Sequence, residues 1–372
     1  MGVLEVLTNC FKTVILKVFE ALRVPVVGYV ISSSSEIVYN ILSKLKFGPF
    51  SAQAQINRYV EDFKLQREWK QQQVVEQPTL VAIVTGANSG IGYETAKAIV
   101  AAGFHTVFAC RNKSATIQAI ESITTELNKA GSAIGSCEFM ELDLGSVASV
   151  KNFVAEFNSK HDRLDLLINN AGLASALSTT TADGIEVCFG TNHVGHHVLT
   201  NGLLDVMKKT PNDGVNNPRI VFVSSTAHYN AKYDKRLVTD PNMRVSFANY
   251  ELSKLANIMC ANELSRRFYE ENPNNRITVN SLHPGIVYTS VARHSELMKN
   301  RILNFFYHSI AIGPKAGALT TIKLALSSQV SHTSGKYFER ELELSPSAIS
   351  QNPETWKDLW RFTEDLIVSH AV

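Results

Sequence analysis

From residue 78 onward, hydrophobic residues recur in short runs that are separated by longer stretches with helical spacing. Short apolar runs with few charges are typical of strands buried on both faces of a sheet. The pattern predicts strands at residues 80–84, 106–110, 137–142, 164–168, 220–223 and 277–282, an edge strand at 335–338, and helices from about Gly90 and Pro314. Because strands and helices alternate, the sequence predicts an α/β fold with a doubly wound, Rossmann-type parallel sheet.

The hydrophobic pattern also divides the chain into three parts. Residues 1–78 form a helical N-terminal extension, residues 79–345 a single catalytic domain, and residues 346–372 a C-terminal helical tail with a helix at 356–368. Within the extension, residues 56–73 are strongly polar. We interpret them as an exposed or partner-facing helix that leads into a linker.

The first 22 residues carry an apolar stripe at helical spacing. Charged residues occupy the opposite side of the helical wheel, which is the pattern of an amphipathic helix. Residues 24–35 contain Pro25 and Gly28 and are shorter than the roughly 20 apolar residues that a spanning helix needs. We therefore favour a segment that lies on a membrane; packing against the catalytic domain or a partner subunit is the alternative. The stripe comprises Val3, Leu4, Leu7, Phe11, Val14, Ile15, Val18, Phe19 and Leu22.

Composition narrows the function classes. The 372 residues are 45 % apolar, and 36 Lys and Arg nearly balance 34 Asp and Glu, so no overall charge indicates a nucleic-acid partner. The five cysteines follow no C-x-x-C or zinc spacing, which predicts a reducing compartment and no structural metal. His193 and His197 stand four residues apart on a predicted helix without a third ligand. We interpret them as structural, and we expect His228 to contact the substrate.

A glycine-rich turn follows the first predicted strand. Its glycines allow a tight turn and let backbone N–H groups approach a pyrophosphate at a helix N-terminus; an ordinary glycine-rich turn is the alternative. Where the second strand ends, an NAD-selective site would offer a carboxylate, but this chain has Arg111, which favours the 2′-phosphate of NADP(H) over NAD(H). The alternative, that Arg111 is simply a solvated charge at a strand end, stays open. The residues assigned to the turn are Gly86, Asn88, Ser89, Gly90, Ile91 and Gly92.

Tyr250 and Lys254 stand four residues apart, so on a helix they share one face. A nearby ammonium lowers the pKa of a phenol from its usual value near 10, which would make Tyr250 a usable proton donor. The pair alone is weak, because this spacing is frequent in helices. Its weight comes from the surrounding motifs.

Together these motifs resemble the classical short-chain dehydrogenases and reductases, in the branch of retinol, WW-domain and polyprenol oxidoreductases. The resemblance covers most of residues 80–340, and the glycine-turn motif within it begins with Thr85. It implies catalytic roles for Ser225, Tyr250 and Lys254, and for Asn192 as the holder of a water in a proton relay. It further implies cofactor contacts at Asp143, Leu144, Asn170, Ala171, Gly172, Tyr250, Lys254, Pro284, Gly285, Val287 and Thr289.

The resulting expectation is an NADP(H)-dependent enzyme that interconverts an alcohol and a carbonyl. The apolar segment 302–307, where the family carries its substrate lid, suits a retinoid, sterol, polyprenyl or long-chain substrate; packing in a core helix is the alternative. We expect an intracellular location at a membrane, the endoplasmic reticulum or a lipid droplet, and a homo-oligomer by analogy. The rival hypotheses are a soluble, cytoplasmic carbonyl reductase for small molecules and a non-catalytic NADP-binding scaffold. The 25 residues from Ser225 to Tyr250 imply an inserted loop.

Overall fold

The computed structural model describes residues 52–71, 79–131, 135–175, 179–211, 217–244, 246–287 and 311–370. The apolar stripe of the first 22 residues, the segment 302–307 and Thr289 lie outside these ranges. The described residues contain an eight-stranded sheet with the order β3-β2-β1-β4-β5-β6-β7-β8. Its strands are β1 (Val81–Thr85), β2 (His105–Cys110), β3 (Ser136–Glu141), β4 (Leu166–Asn169), β5 (Arg219–Val223), β6 (Thr278–His283), β7 (Lys336–Glu339) and β8 (Leu342–Leu344).

The first seven strands are parallel, which confirms the predicted sheet. Only β8 is antiparallel, and it pairs with β7 through a tight hairpin. Arg340 and Glu341 form its turn, with φ of 50° and 64°. The sequence did not predict β8, because this strand of three residues is too short to establish an alternating pattern.

Helices cover both faces of the sheet, so alternate residues of β1 pack in opposite directions. Ala82 and Val84 lie in the core beneath one helical layer, and Val81 and Ile83 lie in the core beneath the other. The helices are α1 (Ala52–Gln71), α2 (Gly90–Ala101), α3 (Lys113–Lys129), α4 (Val147–Lys160), α5 (an α-helical turn Val187–Phe189, a π-helix Gly190–Val194 and an α-helix Gly195–Lys209), α6 (Arg236–Thr239), α7 (Ser246–Glu271), α8 (Pro314–Leu326) and α9 (Pro353–Ser369).

Helix α1 packs onto this fold. Ile56, Val60 and Phe63 are buried in the same core as α2 and α8, and the Phe63 ring lies 5.3 Å from that of Phe104. Burying each such side chain stabilises the fold by about 1.5–3 kcal/mol. The interpretation of this segment as exposed or partner-facing is therefore wrong for its apolar side.

The C-terminal helix α9 covers α5 and α7. Leu359, Trp360 and Leu366 are buried, and the Trp360 ring meets His197 edge-on at 4.5 Å. The guanidinium of Arg267 lies over the Trp360 ring, 4.1 Å from its centre. No helix among the described residues is both long enough and apolar enough to cross a bilayer.

Candidate active site

The glycine turn lies between β1 and α2, at the carboxyl edge of the sheet. Gly86 and Gly90 have φ of +66° and +58°, values that favour glycine. A Cβ on Gly92 would lie 2.2 Å from the Gly86 carbonyl oxygen, so no other residue fits there. Ser89 precedes the helix and makes no side-chain cap. The first amides of α2 are thus left for an anionic ligand, as a pyrophosphate site requires.

The Thr85 hydroxyl joins the ends of β1 and β4. It accepts hydrogen bonds from the backbone N–H groups of Asn170 and Ala171, both at 2.9 Å. Its own proton goes to His196 Nε2 at 3.0 Å, because His196 Nδ1 donates to the Asn192 carbonyl at 2.9 Å, which can only accept. Burial lowers the pKa of His196 to about 4, so the ring is neutral. No sequence pattern indicated that Thr85 and His196 connect these motifs.

Arg111 and Asp143 lie at neighbouring strand ends, after β2 and β3. Arg111 Nη1 is 3.9 Å from Asp143 Oδ2, and the guanidinium side chain is 77 % exposed. An ion pair this exposed contributes only about 0–1 kcal/mol to stability, so Arg111 remains available to a phosphate. Asp143 Oδ1 accepts from the Gly145 N–H at 2.9 Å. The Leu144 side chain is buried in the core, which leaves only its backbone for a cofactor.

Ser225 and Tyr250 meet at the end of β5. Ser225 is 8 % exposed, and its hydroxyl hydrogen-bonds the Tyr250 phenol. Burial raises the pKa of Tyr250, and the Ser225 hydroxyl opposes that rise in part. The expectation that Lys254 lowers this pKa is wrong here: its Nζ lies 5.8 Å from the ring centre, and the desolvation of the phenolate dominates.

Lys254 is buried one helical turn beyond Tyr250. Its Nζ donates to the Val223 carbonyl at 3.1 Å, and burial lowers the pKa of its ammonium to about 8. A Cβ on Gly172 would lie 3.1 Å from Lys254 Nζ and 3.3 Å from Asn192 Oδ1. The ammonium and the Asn192 amide therefore border the same small space beside Gly172.

Asn192 lies in the π-helical part of α5, a distortion that is frequent at functional sites. Its Nδ2 donates to the Leu173 carbonyl at 2.9 Å and to Ser253 Oγ at 3.0 Å, and its Oδ1 accepts from Leu173 N–H at 2.8 Å. Asn192 thereby ties the segment after β4 to helix α7. Cys188 lies in the preceding turn, and burial together with the Glu186 carboxylate raises the pKa of its thiol to about 12.

His228 positions Ser225 and is not a substrate contact, so the expectation from the sequence is wrong. Its Nδ1 donates to the Ser225 carbonyl at 2.7 Å, and its Nε2 accepts from the Ser347 N–H at 3.1 Å. The ring is fully buried, and burial lowers its pKa to about 4. Both nitrogens are used inside the protein.

The segment after β6 closes the other side of the glycine turn. Gly285 follows Pro284 with φ of +89°. A Cβ on Gly317 of α8 would come within 2.5 Å of Val287 Cγ2 and 3.3 Å of Ile91 Cγ1. Gly317, which no sequence pattern indicated, therefore lets α8 pack closely against Val287 beside the glycine turn.

The inserted segment between Ser225 and Tyr250 contains short helices. Leu237 and Val238 of α6 are buried, and the Leu237 carbonyl accepts from Asn249 Nδ2 at 2.7 Å. Tyr233 donates to Asp358 of α9 at 2.8 Å. The described part of this segment thus packs on α7 and α9.

A glycine cradle at a helix N-terminus, with Ser, Tyr and Lys at the adjoining strand ends, fits a dinucleotide. The family model "short chain dehydrogenase" matches residues 80–300. The chain belongs to the short-chain dehydrogenase family. Retinol dehydrogenase 14 of Mus musculus is 38 % identical over 297 residues, covering 77 % of this chain and 85 % of that protein. Polyprenol dehydrogenase of Homo sapiens is 34 % identical over 287 residues, covering 76 % and 83 %.

Among solved structures, an uncharacterised protein from Mycobacterium paratuberculosis has a TM-score of 0.60 and 26 % identity, covering 78 % of this chain and 96 % of that one. This similarity agrees with the Rossmann-type fold. The two dehydrogenase relatives confirm the branch of the short-chain dehydrogenase family that the motifs indicated. The chain is accordingly an oxidoreductase that acts on alcohol or carbonyl groups.

Proposed function

We propose that this short-chain dehydrogenase uses NADP(H) to interconvert an alcohol and a carbonyl on a lipid-like substrate, such as a retinoid, sterol, polyprenyl or long-chain compound. The observation that carries the proposal is the Ser225 hydroxyl on the Tyr250 phenol, with the Lys254 ammonium beyond it, at the edge that holds the glycine cradle. The names of the retinol and polyprenol dehydrogenases that it resembles support the substrate class.

When bound, the nicotinamide cofactor would supply or accept a hydride. The pyrophosphate would lie on the Gly86 to Gly92 turn, the adenine near Asp143, the 2′-phosphate at Arg111 and the ribose at Lys254. The fit rests on the cradle that a Cβ at Gly92 would fill.

The side chains handle the substrate oxygen and its proton. Ser225 and Tyr250 donate hydrogen bonds to a carbonyl oxygen, and Tyr250 gives its proton to that oxygen during reduction. In the opposite direction the phenolate takes the proton from the alcohol. Because burial raises the pKa of Tyr250, the proton-donating form dominates at neutral pH. Lys254, with its pKa near 8, is mostly charged there and would hydrogen-bond the ribose of the bound cofactor.

The cofactor preference should depend on Arg111. Replacing Arg111 by Ala should raise the KM for NADPH by about 10–100-fold, because a charge-assisted hydrogen bond contributes about 1.5–3 kcal/mol. The KM for NADH should change little. Steady-state kinetics with both cofactors measure the difference, with Arg361→Ala, an exposed arginine on α9, as the matched control. Equal use of NADH and NADPH by the unmodified protein would refute the NADP assignment.

The substrate class can be tested through Phe247. This side chain is 51 % exposed, and its ring lies 6.1 Å from that of Tyr250. If a long apolar substrate passes over it, Phe247→Ala should lower kcat/KM for retinal or a polyprenal about tenfold, through lost apolar contact. A short aldehyde with the same head group should be unaffected.

Tyr269→Ala is the matched control, since Tyr269 is an aromatic side chain of the same helix with 68 % exposure. Rates that do not rise with substrate chain length would favour a small-molecule carbonyl reductase. Cofactor binding without turnover of any carbonyl would favour a scaffold.

The proposed location follows from the substrate. An apolar stripe in the first 22 residues would hold the enzyme at a membrane surface, the endoplasmic reticulum or a lipid droplet, where such substrates dissolve. A homo-oligomer is proposed by analogy with the family alone.

A further inference from the structure

Three metal-ligating side chains meet on the edge of the sheet that is remote from the cofactor turn. His105 begins β2, Glu138 lies on β3, and His161 follows the end of α4. His105 Nε2 and His161 Nε2 lie 3.1 Å and 3.0 Å from the same oxygen, Glu138 Oε2. All three ligand atoms lie within 4.8 Å of one another.

These separations approach those of a tetrahedral metal site. With metal–ligand bonds of about 2.0–2.2 Å, the ligand atoms of a zinc tetrahedron lie roughly 3.3–3.5 Å apart. Each nitrogen need move only a few tenths of an ångström from the shared oxygen, and the two nitrogens, which lie within 4.8 Å of each other, must come to the same separation. Two imidazoles and one carboxylate form a donor set that suits Zn²⁺ and excludes Mg²⁺ and Ca²⁺, which prefer oxygen ligands.

We propose that His105, Glu138 and His161 bind one divalent transition-metal ion, with Zn²⁺ the best match. Local spacing along the sequence predicted no metal, because Glu138 is 33 residues from His105 and 23 from His161. The fold supplies the proximity that the spacing does not show. The His105 and His161 side chains are 22 % and 14 % exposed, which leaves a path for the ion and room for a water as fourth ligand.

Neighbouring side chains prepare the three ligands. Ser136 Oγ lies 2.7 Å from His105 Nδ1, where it can accept the ring proton once Nε2 binds a metal. Glu138 Oε2 lies within hydrogen-bonding distance of both ring nitrogens, so the carboxylate is already oriented toward the two histidines.

Among the described residues, Lys160 is a cationic neighbour of Glu138 that would oppose a metal ion there. Its Nζ lies 3.1 Å from Glu138 Oε1, the oxygen that does not face the histidines, and 2.7 Å from Glu156 Oε1. Since it is 45 % exposed and has Glu156 as a second partner, it can move aside. Removing its charge should strengthen metal binding several-fold. If the cluster serves only as a hydrogen-bonded staple, the same change would not confer any metal affinity.

The bound ion would link β2, β3 and the end of α4, and it would take no part in the reaction. His105 is at the start of β2, whereas Arg111 follows its end at the cofactor side. Zinc should therefore raise the thermal unfolding midpoint and leave kcat unchanged.

The first test uses the full, untagged chain after chelator treatment. Equilibrium dialysis against Zn²⁺ with elemental analysis should give one saturable ion per chain, and the unfolding midpoint should rise with zinc concentration. Co²⁺ should show the intense visible bands of a tetrahedral site without sulfur ligation. Absence of saturable binding, or an octahedral Co²⁺ spectrum, overturns the proposal.

Substitutions then locate the ion. Glu138→Gln and His161→Asn should each weaken zinc binding by about 100-fold or more, because even partners outside the ligand set cost about 10–100-fold. Lys160→Gln should tighten it. His332→Asn removes an exposed histidine elsewhere and should have no effect. Equal affinity in the control and ligand variants shows an adventitious ion and overturns the proposal. If a ligand variant fails to fold, the Co²⁺ spectrum of the unmodified chain still decides.

Discussion

Replacing Tyr250 by Phe should reduce turnover by about 10²–10⁴-fold or more, which is the contribution of a positioned general acid. The phenyl ring keeps the packing of α7 but has no proton to give and no partner for the Ser225 hydroxyl. Cofactor affinity should be retained, because the glycine turn does not depend on the phenol. Steady-state kcat with a lipid aldehyde and NADPH, together with cofactor binding by calorimetry, measures both quantities.

Tyr233→Phe is the matched control for this change. It also removes one phenol oxygen, but that oxygen donates to Asp358 of α9 at 2.8 Å and makes no described contact with Ser225. Its turnover should stay close to that of the unmodified enzyme. Normal turnover by Tyr250→Phe would exclude the proposed proton transfer, whereas equal losses in both variants would indicate a general effect on the fold.

The convergence of the candidate catalytic residues was predictable because topology carries much of the information. Ser225 and Asn170 each follow a strand, and parallel strands present their carboxyl ends at one edge, so motifs far apart in the sequence converge there. Tyr250 and Lys254 required only helical spacing to share a face. The predicted strands, together with helical spacing between Tyr250 and Lys254, were thus enough to bring these residues together.

The supporting contacts were not predictable, since each joins polar residues that look ordinary singly. Thr85 and His196 are 111 residues apart, and His228 and Ser347 are 119 apart. No local pattern specifies such pairs, and a buried histidine can serve as ligand, catalyst or packing element. The predicted direction of the Tyr250 pKa shift was wrong for a related reason. The charge of Lys254 can be read from the sequence, but the depth of burial that raises the pKa of Tyr250 cannot.

The sequence of helix α1 did contain a signal for its burial, but the polar residues around that signal outweighed it in the prediction. Ile56, Val60 and Phe63 recur at helical spacing, yet the polar composition around them suggested an exposed helix. A narrow apolar stripe is sufficient when its target, here the core shared with α2 and α8, is itself apolar. Average polarity is therefore a poorer guide to helix burial than periodicity.

The protein should lose stability steeply between about pH 6.5 and pH 4. Burial lowers the pKa of four histidines: to about 4 for His196 and His228, to about 3 for His197, and well below the ordinary value of 6.5 for His193. The folded state keeps them neutral in this window, whereas the unfolded chain takes up their protons. The stabilisation is therefore fully present above pH 6.5 and is lost as the pH falls.

If unfolding takes up four protons, the free energy of unfolding changes by about 5 kcal/mol per pH unit near pH 5, which is an upper value. Since domains are typically stable by about 5–15 kcal/mol, unfolding should occur before pH 4. Urea denaturation at pH 7.0, 6.0, 5.5 and 5.0 measures the slope. Burial raises the pKa of Glu251 to about 7, so this carboxyl takes up a proton in the folded state and offsets one of the four, whereas carboxylates with ordinary pKa values add to the slope only at the lower end.

Substituting one ring separates the histidines from other groups. His197→Phe keeps an aromatic contact with Trp360, now 4.5 Å from the imidazole, and should lower the slope by about 1.4 kcal/mol per pH unit, the share of one proton. His332→Asn, which removes an exposed histidine, should leave the slope almost unchanged. A stability that stays level from pH 6.5 to 5, or an undiminished slope in His197→Phe, would show that these rings accept protons within the fold. In that case the histidine network around Asn192 and Ser225 would be a responsive part of the site, and its neutral hydrogen-bond pattern would not hold at acidic pH.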